Sequence, residues 1–424
     1  MKLDKTQEEI VRSASKDILV IAGSGSGKTR TLVERVRYLL EEKEVEPSGI
    51  VCITFTNASA DEMKIRLKDV RGIGDAFIGT IHSFANRIYR ESGMSYQIMS
   101  TEVTIALYKE IVKKRDFEFI TLDRLLERLD READVQKGIL DSVDADPRAF
   151  FDPSELSDFR EIEQEIAVIR KQRNIITFDE LLIKTRNYYA TLDTSVEYVL
   201  LDEAQDVGIL EYKFVSGLNA ENNFIVGDDW QNIYSFKGAD VSIFKNIAKD
   251  KNVKVYKLSN NYRSAKEILD LAERIINQVP DIIDKDVVVK NKVKGKVTID
   301  SQYKLDKYIS KIAKADNLND WFILCRTNKD VVKILEQLRE KNIPADTFKR
   351  GGMTLEEMNM QLAFPSVKVL TVHTSKGLEN KNVLLYGKFP LKIPKWMTGK
   401  SAYEERRVMY VGITRSQEEL IILN

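Results

Sequence analysis

The chain is predicted to be an α/β protein built on parallel sheets and interrupted by a helical segment. Three observations predict it. An apolar run, Ile18-Leu19-Val20-Ile21, breaks at small residues and gives way to a helix-periodic stretch with Leu32, Val33, Val36, Leu39 and Leu40 on one face. Strand-like runs then alternate with helix-like ones, the pattern of parallel sheets. From 88 to 174 the β-branched runs thin out and helical periodicity takes over.

Bulk properties set the frame. A chain of 424 residues should form two or more domains with cores of their own. With 43% hydrophobic and 31% charged residues it has an ordinary soluble composition. No apolar run reaches membrane-spanning length, and Met1-Lys2-Leu3-Asp4-Lys5 is too charged for a signal peptide. A cytoplasmic protein with no membrane partner is expected. Cys52 and Cys325 each sit in an apolar strand-like run, as core thiols in a reducing compartment do. With 66 basic and 66 acidic residues, any nucleic-acid surface must be a local groove.

Taken in order, the first block, 1–87, opens with a polar-start helix that carries Gln7. A second buried strand, 50–55, leads into Thr56-Asn57-Ala58 and a helix, and 77–84 reads as a strand entering another helix. The segment 88–174 is assigned as a helical insertion in this first domain. Its nine acidic and two basic residues between 141 and 165 fit a solvated helical face better than a binding tail. Strands return at 196–201, 223–226 and 253–256, completing the first domain over 175–259. A second α/β unit fills 260–424, with strands near 297–299, 321–325, 367–372, 383–386 and 420–423.

Two stretches carry chemistry on their own. Ala22-Gly23-Ser24-Gly25-Ser26-Gly27-Lys28-Thr29, between the first strand and its helix, is a phosphate-binding loop with Ala22 at the usual first glycine. Glycines let successive backbone N–H groups converge on phosphate oxygens, and the helix N-terminus adds a favourable dipole. Lys28 is placed to reach the β/γ-phosphates and Thr29 to ligate Mg²⁺. The run 199–203 is an apolar strand ending in Asp202-Glu203. Strand ends of a parallel sheet face the ligand crevice, so Asp202 is expected to hold Mg²⁺ and Glu203 to orient and deprotonate the attacking water.

Beyond these, the chain resembles the UvrD/Rep/PcrA-type DNA helicases of superfamily 1A, along nearly its whole length. The family's motifs come in order: the phosphate loop, Asp202-Glu203-Ala204-Gln205-Asp206, Gly227-Asp228-Asp229-Trp230-Gln231-Asn232-Ile233-Tyr234 and Asn261-Tyr262-Arg263-Ser264. Thr371-Val372-His373-Thr374-Ser375-Lys376-Gly377-Leu378-Glu379 and Tyr410-Val411-Gly412-Ile413-Thr414-Arg415 follow. The resemblance implies two RecA-like domains flanking an ATP cleft. It implies that Gln7 meets the adenine edge, Tyr262 stacks on the base and Arg30 belongs to the nucleotide site. Arg263 and Arg415 become arginine fingers, Gln231 senses the γ-phosphate and Glu379 lies near the sugar and phosphates. For DNA, Phe55, Tyr234 and Phe236 would stack bases. Asn57, Thr80, His82, Lys237, Thr371, His373 and Ser375 would meet the strand's backbone.

The chain also departs from the family. Phe236-Lys237 stands where Trp-Arg is usual, which keeps stacking but gives up the bidentate reach of arginine. Asn380 replaces the usual aromatic after Glu379. About forty residues separate Thr327 from Val367, where the family carries a large helical insertion. The expectation is a minimal bacterial or phage-encoded core, with no extended tail after its sixth motif. It would use ATP and Mg²⁺ to move 3′ to 5′ on single-stranded DNA and separate strands at single-strand/duplex junctions, with an accessory replication or repair protein as a candidate partner. The direction comes from the resemblance alone. Rival readings are a translocase that strips proteins or needs a partner to unwind, and a nucleotide-gated DNA-binding adaptor with little turnover. A small-molecule phosphotransferase would leave the last three motifs unexplained. RNA stays open as the track, because no residue recognisably reads a 2′-hydroxyl.

Overall fold

The computed structural model describes residues 2–115, 117–136, 146–192, 196–235, 238–348, 353–389 and 400–424. Two six-stranded sheets, each wholly parallel, carry the chain. The first runs Phe77–Thr80, Ile50–Thr54, Tyr198–Leu201, Asn222–Gly227, Asp17–Ala22, Lys254–Leu258. Its strands are continuous apolar runs because both faces are covered. Ile18, Val20 and Ala22 pack with Leu32, Val36 and Met63, while Leu19 and Ile21 pack with Phe84, Leu182 and Phe214. That strand order lines up the carboxyl ends that carry Thr80, Phe55, Asp202, Asp228 and Gly23 along one edge.

The helical segment has a separate core in which Leu107, Tyr108 and Ile111 meet Phe159, Ile162 and Ile166. A two-residue strand pair, Gln97–Ile98 with Ile175–Ile176, closes its base. The helix Ile81–Glu91 belongs to the sheet, since Phe84, Ala85, Ile88 and Tyr89 all enter the core beneath it. A division at 88 therefore falls inside a helix, one that ends where Gly93 turns left-handed (φ +78).

The second sheet runs Lys296–Asp300, Ser416–Leu423, Asn380–Tyr386, Trp321–Cys325, Val367–Thr371, Ala345–Asp346. Between the two strands at the end of this sheet order, Ala345–Asp346 and Val367–Thr371, the described residues carry one helix, Leu355–Ala363. Leu355 and Met358 enter an apolar seam where Ala58, Trp230 and Ile233 of the first domain meet Leu370, Val372 and Met409 of the second. This seam fixes the two sheets across the cleft. Cys52 and Cys325 are buried free thiols, and burial pushes both above the ordinary thiol range. Among the described residues no helix is long and apolar enough to cross a membrane.

Candidate functional site

Two left-handed glycines shape the loop after strand Asp17–Ala22. Gly25 (φ +67) and Gly27 (φ +85) adopt backbone that side chains avoid. A Cβ on Gly25 would lie 2.6 Å from Arg263 Cβ, and one on Gly27 would lie 2.6 Å from Gln7 Nε2. The loop is thus pinned between the first helix and the second domain. Ser26 Oγ donates to the Gly23 carbonyl at 2.8 Å, and Gln7 Nε2 donates to the Ser26 carbonyl at 3.1 Å. Gln7 Oε1 accepts from the Asp4 N–H, half of a capping box on helix Lys5–Arg12. Gln7 is therefore buried, and its amide braces the phosphate loop.

The acids stand beside this loop. Thr29 Oγ1 donates to Asp202 Oδ2 at 3.5 Å, and Lys28 Nζ lies 3.8 Å from Asp228 Oδ2. Burial and the neighbouring Glu203 push the Asp202 carboxyl up to about 7. Burial pushes Glu203 upward too, but Lys28 and Lys376 outweigh it and hold Glu203 below its usual range. Glu203 occupies left-handed backbone (φ +51, ψ +40), which a non-glycine residue adopts only when its surroundings impose it. Gln205 ties the two acidic motifs together. Its Nε2 donates to Glu203 Oε2 at 2.5 Å, while its Oε1 accepts from the Asp228 N–H at 2.8 Å.

The second domain reaches across to the same loop. Arg263 Nη1 and Arg415 Nη2 both donate to Ser24 Oγ, at 2.9 and 3.2 Å. Arg415 also donates to Gln231 Oε1 at 3.3 Å, and Gln231 Nε2 donates to Asp228 Oδ2 at 2.5 Å. Burial and the neighbouring Arg263 push the Arg415 guanidinium down to about 9. Asn261 is buried, and its Nδ2 donates to the Ser24 carbonyl at 2.5 Å, while the Tyr262 N–H donates to the Gly25 carbonyl at 3.0 Å. The Tyr262 ring is exposed, and its hydroxyl donates to Asp4 Oδ2 at 2.6 Å. The charge of Arg30 acts on that hydroxyl. Glu379 pairs with Arg263 and accepts from Gln417 Nε2 at 3.0 Å.

Comparison with known proteins decides the family. A model of the UvrD/REP helicase N-terminal domain matches residues 3–252, and one of the UvrD-like helicase C-terminal domain matches residues 256–355 and 352–424. The chain belongs to the UvrD/Rep helicase family. It is similar to a probable DNA helicase of Mycoplasma pneumoniae, at 28% identity over 100% of this chain and 83% of that protein. It is 29% identical to the ATP-dependent DNA helicase PcrA of Bacillus subtilis, over 79% of this chain and 49% of the relative. A probable DNA helicase II homolog of Mycoplasma capricolum is also 29% identical, over 84% of this chain and 53% of the relative. The chain thus spans about half the length of two of these three relatives.

Of the residues that the UvrD-type resemblance assigns to DNA, Phe55, Tyr234 and His373 meet at a second locus. Phe55 and Tyr234 stack with ring centroids 5.1 Å apart and 17° between planes. His373 lies 6.2 Å from Tyr234 ring to ring, and its carbonyl accepts from the Tyr234 hydroxyl at 3.3 Å. Asn57 is exposed at the start of helix Asn57–Leu67. Thr80 and Thr371 serve as local caps, accepting from Ser83 N–H at 3.2 Å and Thr374 N–H at 3.1 Å. His82 lines a small cleft with Phe55, Thr80 and Asp202, so the cleft adjoins both loci. Burial lowers the His82 pKa against the pull of Glu211, whose Oε1 lies 4.0 Å from Nδ1. Ser375 is buried, with its hydroxyl donating to the Val372 carbonyl at 2.8 Å. Phe236 and Lys237 lie outside the described residues.

Sequence reasoning quoted Asn261, Gln205, Asp206 and Lys376 as motif letters without giving them roles. In the fold Lys376 Nζ pairs with Asp206, donates to the Gln231 carbonyl at 2.8 Å and lies 4.9 Å from the Tyr234 ring centroid. One lysine therefore touches the acidic motif, the third motif and the aromatic stack. Its place inside a motif was the available signal. Its partners lie some 145 and 170 residues away in sequence, which spacing does not reveal.

Proposed function

We propose that this chain is an ATP-driven motor that moves 3′ to 5′ along single-stranded DNA and separates strands where single strand meets duplex. One observation carries the reading: Arg263 and Arg415, from the second domain, converge on Ser24 of the first domain's phosphate loop. Two guanidiniums beside Lys28 concentrate positive charge where a triphosphate would bring negative charge. Burial and the charge of Arg263 push the Arg415 guanidinium down to about 9, so an anion bound between the two would relieve their repulsion.

In this reading Lys28 meets the β/γ-phosphates, and Gly23, Ser24, Gly25, Ser26 and Gly27 present backbone N–H groups to them. Tyr262 offers its exposed face to the base, with Gln7 and Arg30 beside it. Thr29 and Asp202 form an oxygen-only donor pair that fits Mg²⁺, which neutralises phosphate charge when bound. Glu203 takes a proton from the attacking water. Gln231 contacts Asp228 on one side and Arg415 on the other, so gain or loss of the γ-phosphate changes the second domain's grip on the first. Lys376 carries that change to Tyr234 and Phe55, which stack on bases without reading sequence. The division into a first domain with a helical insertion and a second domain from 260 belongs to the same proposal.

The test is steady-state ATP hydrolysis with and without single-stranded DNA, at two salt concentrations, for the native chain and Glu203→Gln. DNA should stimulate the rate, salt should weaken that stimulation, and Glu203→Gln should abolish turnover. A rate indifferent to DNA and RNA would sink the motor reading, and tight DNA binding without turnover would favour the adaptor. The single helix Leu355–Ala363 favours a second reading, translocation without unaided unwinding. A partial duplex with a 3′ tail, unwound only when a partner is added, would decide for it.

A further inference from the structure

Lys285 is fully buried and lies in none of the motifs above. It sits in the connection between helix Lys266–Ile276 and the short strand Val288–Val289. Its Nζ lies 2.8 Å from Asp228 Oδ1, 2.7 Å from Asp229 Oδ1 and 3.9 Å from the centroid of the Trp230 ring. Its stem runs beside the phosphate loop, where a Cβ on Gly23 would meet Lys285 Cδ at 3.8 Å. The backbone just before it grips the same turn. The Ile283 N–H donates to Asp229 Oδ2 at 2.9 Å, and the Ile283 carbonyl accepts from Trp230 Nε1 at 3.0 Å.

Burying an ammonium is costly unless its charge is matched, and apolar side chains of similar volume often serve stability as well. What the charge does here is divide Asp228. Oδ1 goes to Lys285, while Oδ2 faces Gln231 Nε2 at 2.5 Å and Lys28 Nζ at 3.8 Å. Without the Lys285 charge, Lys28 is the nearest cation left to Asp228. Lys28 would then be drawn to the carboxylate and away from a phosphate.

We infer that Lys285 is a positioning residue for γ-phosphate recognition. It satisfies Asp228 so that Lys28 remains available to the nucleotide, and it ties this segment of the second domain to the third motif. The inference rests on the reading that this cleft binds a nucleoside triphosphate.

The experiment measures how well the protein prefers a non-hydrolysable ATP analogue to ADP, by competition against fluorescent ADP. Lys285→Met should lose about tenfold of that preference, within the range usual for coupled sites. Asp229→Asn, which disturbs the same ion pair without touching Asp228, should lower Tm and keep the preference. A merely structural ion pair predicts lower Tm and native preference in both variants, so Lys285→Met is the variant that separates the two. If Lys285→Met does not fold, the double variant Lys285→Met/Asp229→Asn removes one charge of each sign and should show the same loss. Native preference in Lys285→Met, or in the double variant where the single variant does not fold, overturns the inference. A native chain that binds neither nucleotide overturns the ATP reading itself, and this inference with it.

Discussion

The nucleotide cleft and the aromatic face hold their side chains in different ways. In the cleft, Asp202, Gln205, Asp228, Gln231 and Arg415 are each at most 4% exposed, and their polar atoms meet other motif residues. On the aromatic face, Phe55, Thr80, Tyr234, Thr371 and His373 are half-buried, and the threonine hydroxyls go into local caps. Buried polar networks must be satisfied throughout, so removing one member disturbs the rest. Stacks and caps contribute one at a time. Substitutions in the cleft should therefore act nearly all-or-none, and those on the face should be graded.

The largest expected effect is Arg415→Ala. Loss of Arg415 in its proposed role as an arginine finger costs about 10³-fold or more in kcat. Single-strand affinity measured without nucleotide should stay near the native value. A variant that hydrolyses ATP within tenfold of native would break the contrast, because the cleft would then tolerate loss of a member.

Tyr234→Ala sits on the other side of the comparison. Its loss should weaken single-strand binding by about 1–3 kcal/mol, as loss of one stacking platform does. The slope of log affinity against log salt should not change, since no charge is removed. Fluorescence anisotropy at several salt concentrations reads both quantities. A changed slope would mean that Tyr234 acts by positioning Lys376 rather than by stacking.

Lys376→Ala tests the link between the two regions. The ratio of DNA-stimulated to basal ATP hydrolysis should fall by about tenfold, a typical coupling between sites. An unchanged ratio would mean that Lys376 does not link the two regions, and would turn attention to the apolar seam at Ala58 and Leu370.

The same contrast explains what was legible beforehand. Ala22–Thr29 and Asp202-Glu203 could be read from residue type and spacing, because glycines with positive φ and acids at a strand end are local requirements. The parallel sheets were legible from continuous apolar runs. Gln7's buried amide, Lys285 and the Asp206–Lys376 pair were not, because each depends on residues brought together from distant parts of the chain. Ser375 was assigned to the DNA backbone as part of a motif, yet its hydroxyl turns inward to Val372. A motif marks a neighbourhood, and the packing decides which of its members face outward.

Protons should compete with a divalent cation in the cleft. Asp202, pushed up to about 7 by burial and Glu203, must lose its proton before it can hold Mg²⁺. Apparent Mg²⁺ affinity for ATP hydrolysis should therefore strengthen several-fold between pH 6 and 8, with tenfold per unit as the limiting slope for one proton. Stability runs in the opposite direction. A carboxyl whose folded pKa lies above its unfolded value contributes stability at low pH, and that stability is lost as pH rises towards 7. Thermal unfolding of the Mg²⁺-free protein should show this, and a flat Mg²⁺ response across that range would remove Asp202 from the metal site.

The smallest expected effect separates a cap from a contact. Thr371 Oγ1 accepts the Thr374 N–H at 3.1 Å and lies 2.9 Å from Thr374 Oγ1, so its hydroxyl holds the turn that presents His373 and Lys376. Thr371→Ala should cost about 1 kcal/mol of stability, as loss of a capping hydroxyl does. Thr371→Ser keeps the hydroxyl and should restore it. If the hydroxyl also meets a DNA phosphate, the serine variant should recover single-strand affinity along with Tm. If the threonine acts as a cap and no more, single-strand affinity should stay native in the alanine variant once the comparison is made well below its Tm. The two outcomes differ by a single hydrogen bond, and they say whether this face grips the strand through its side chains or through the turns they hold.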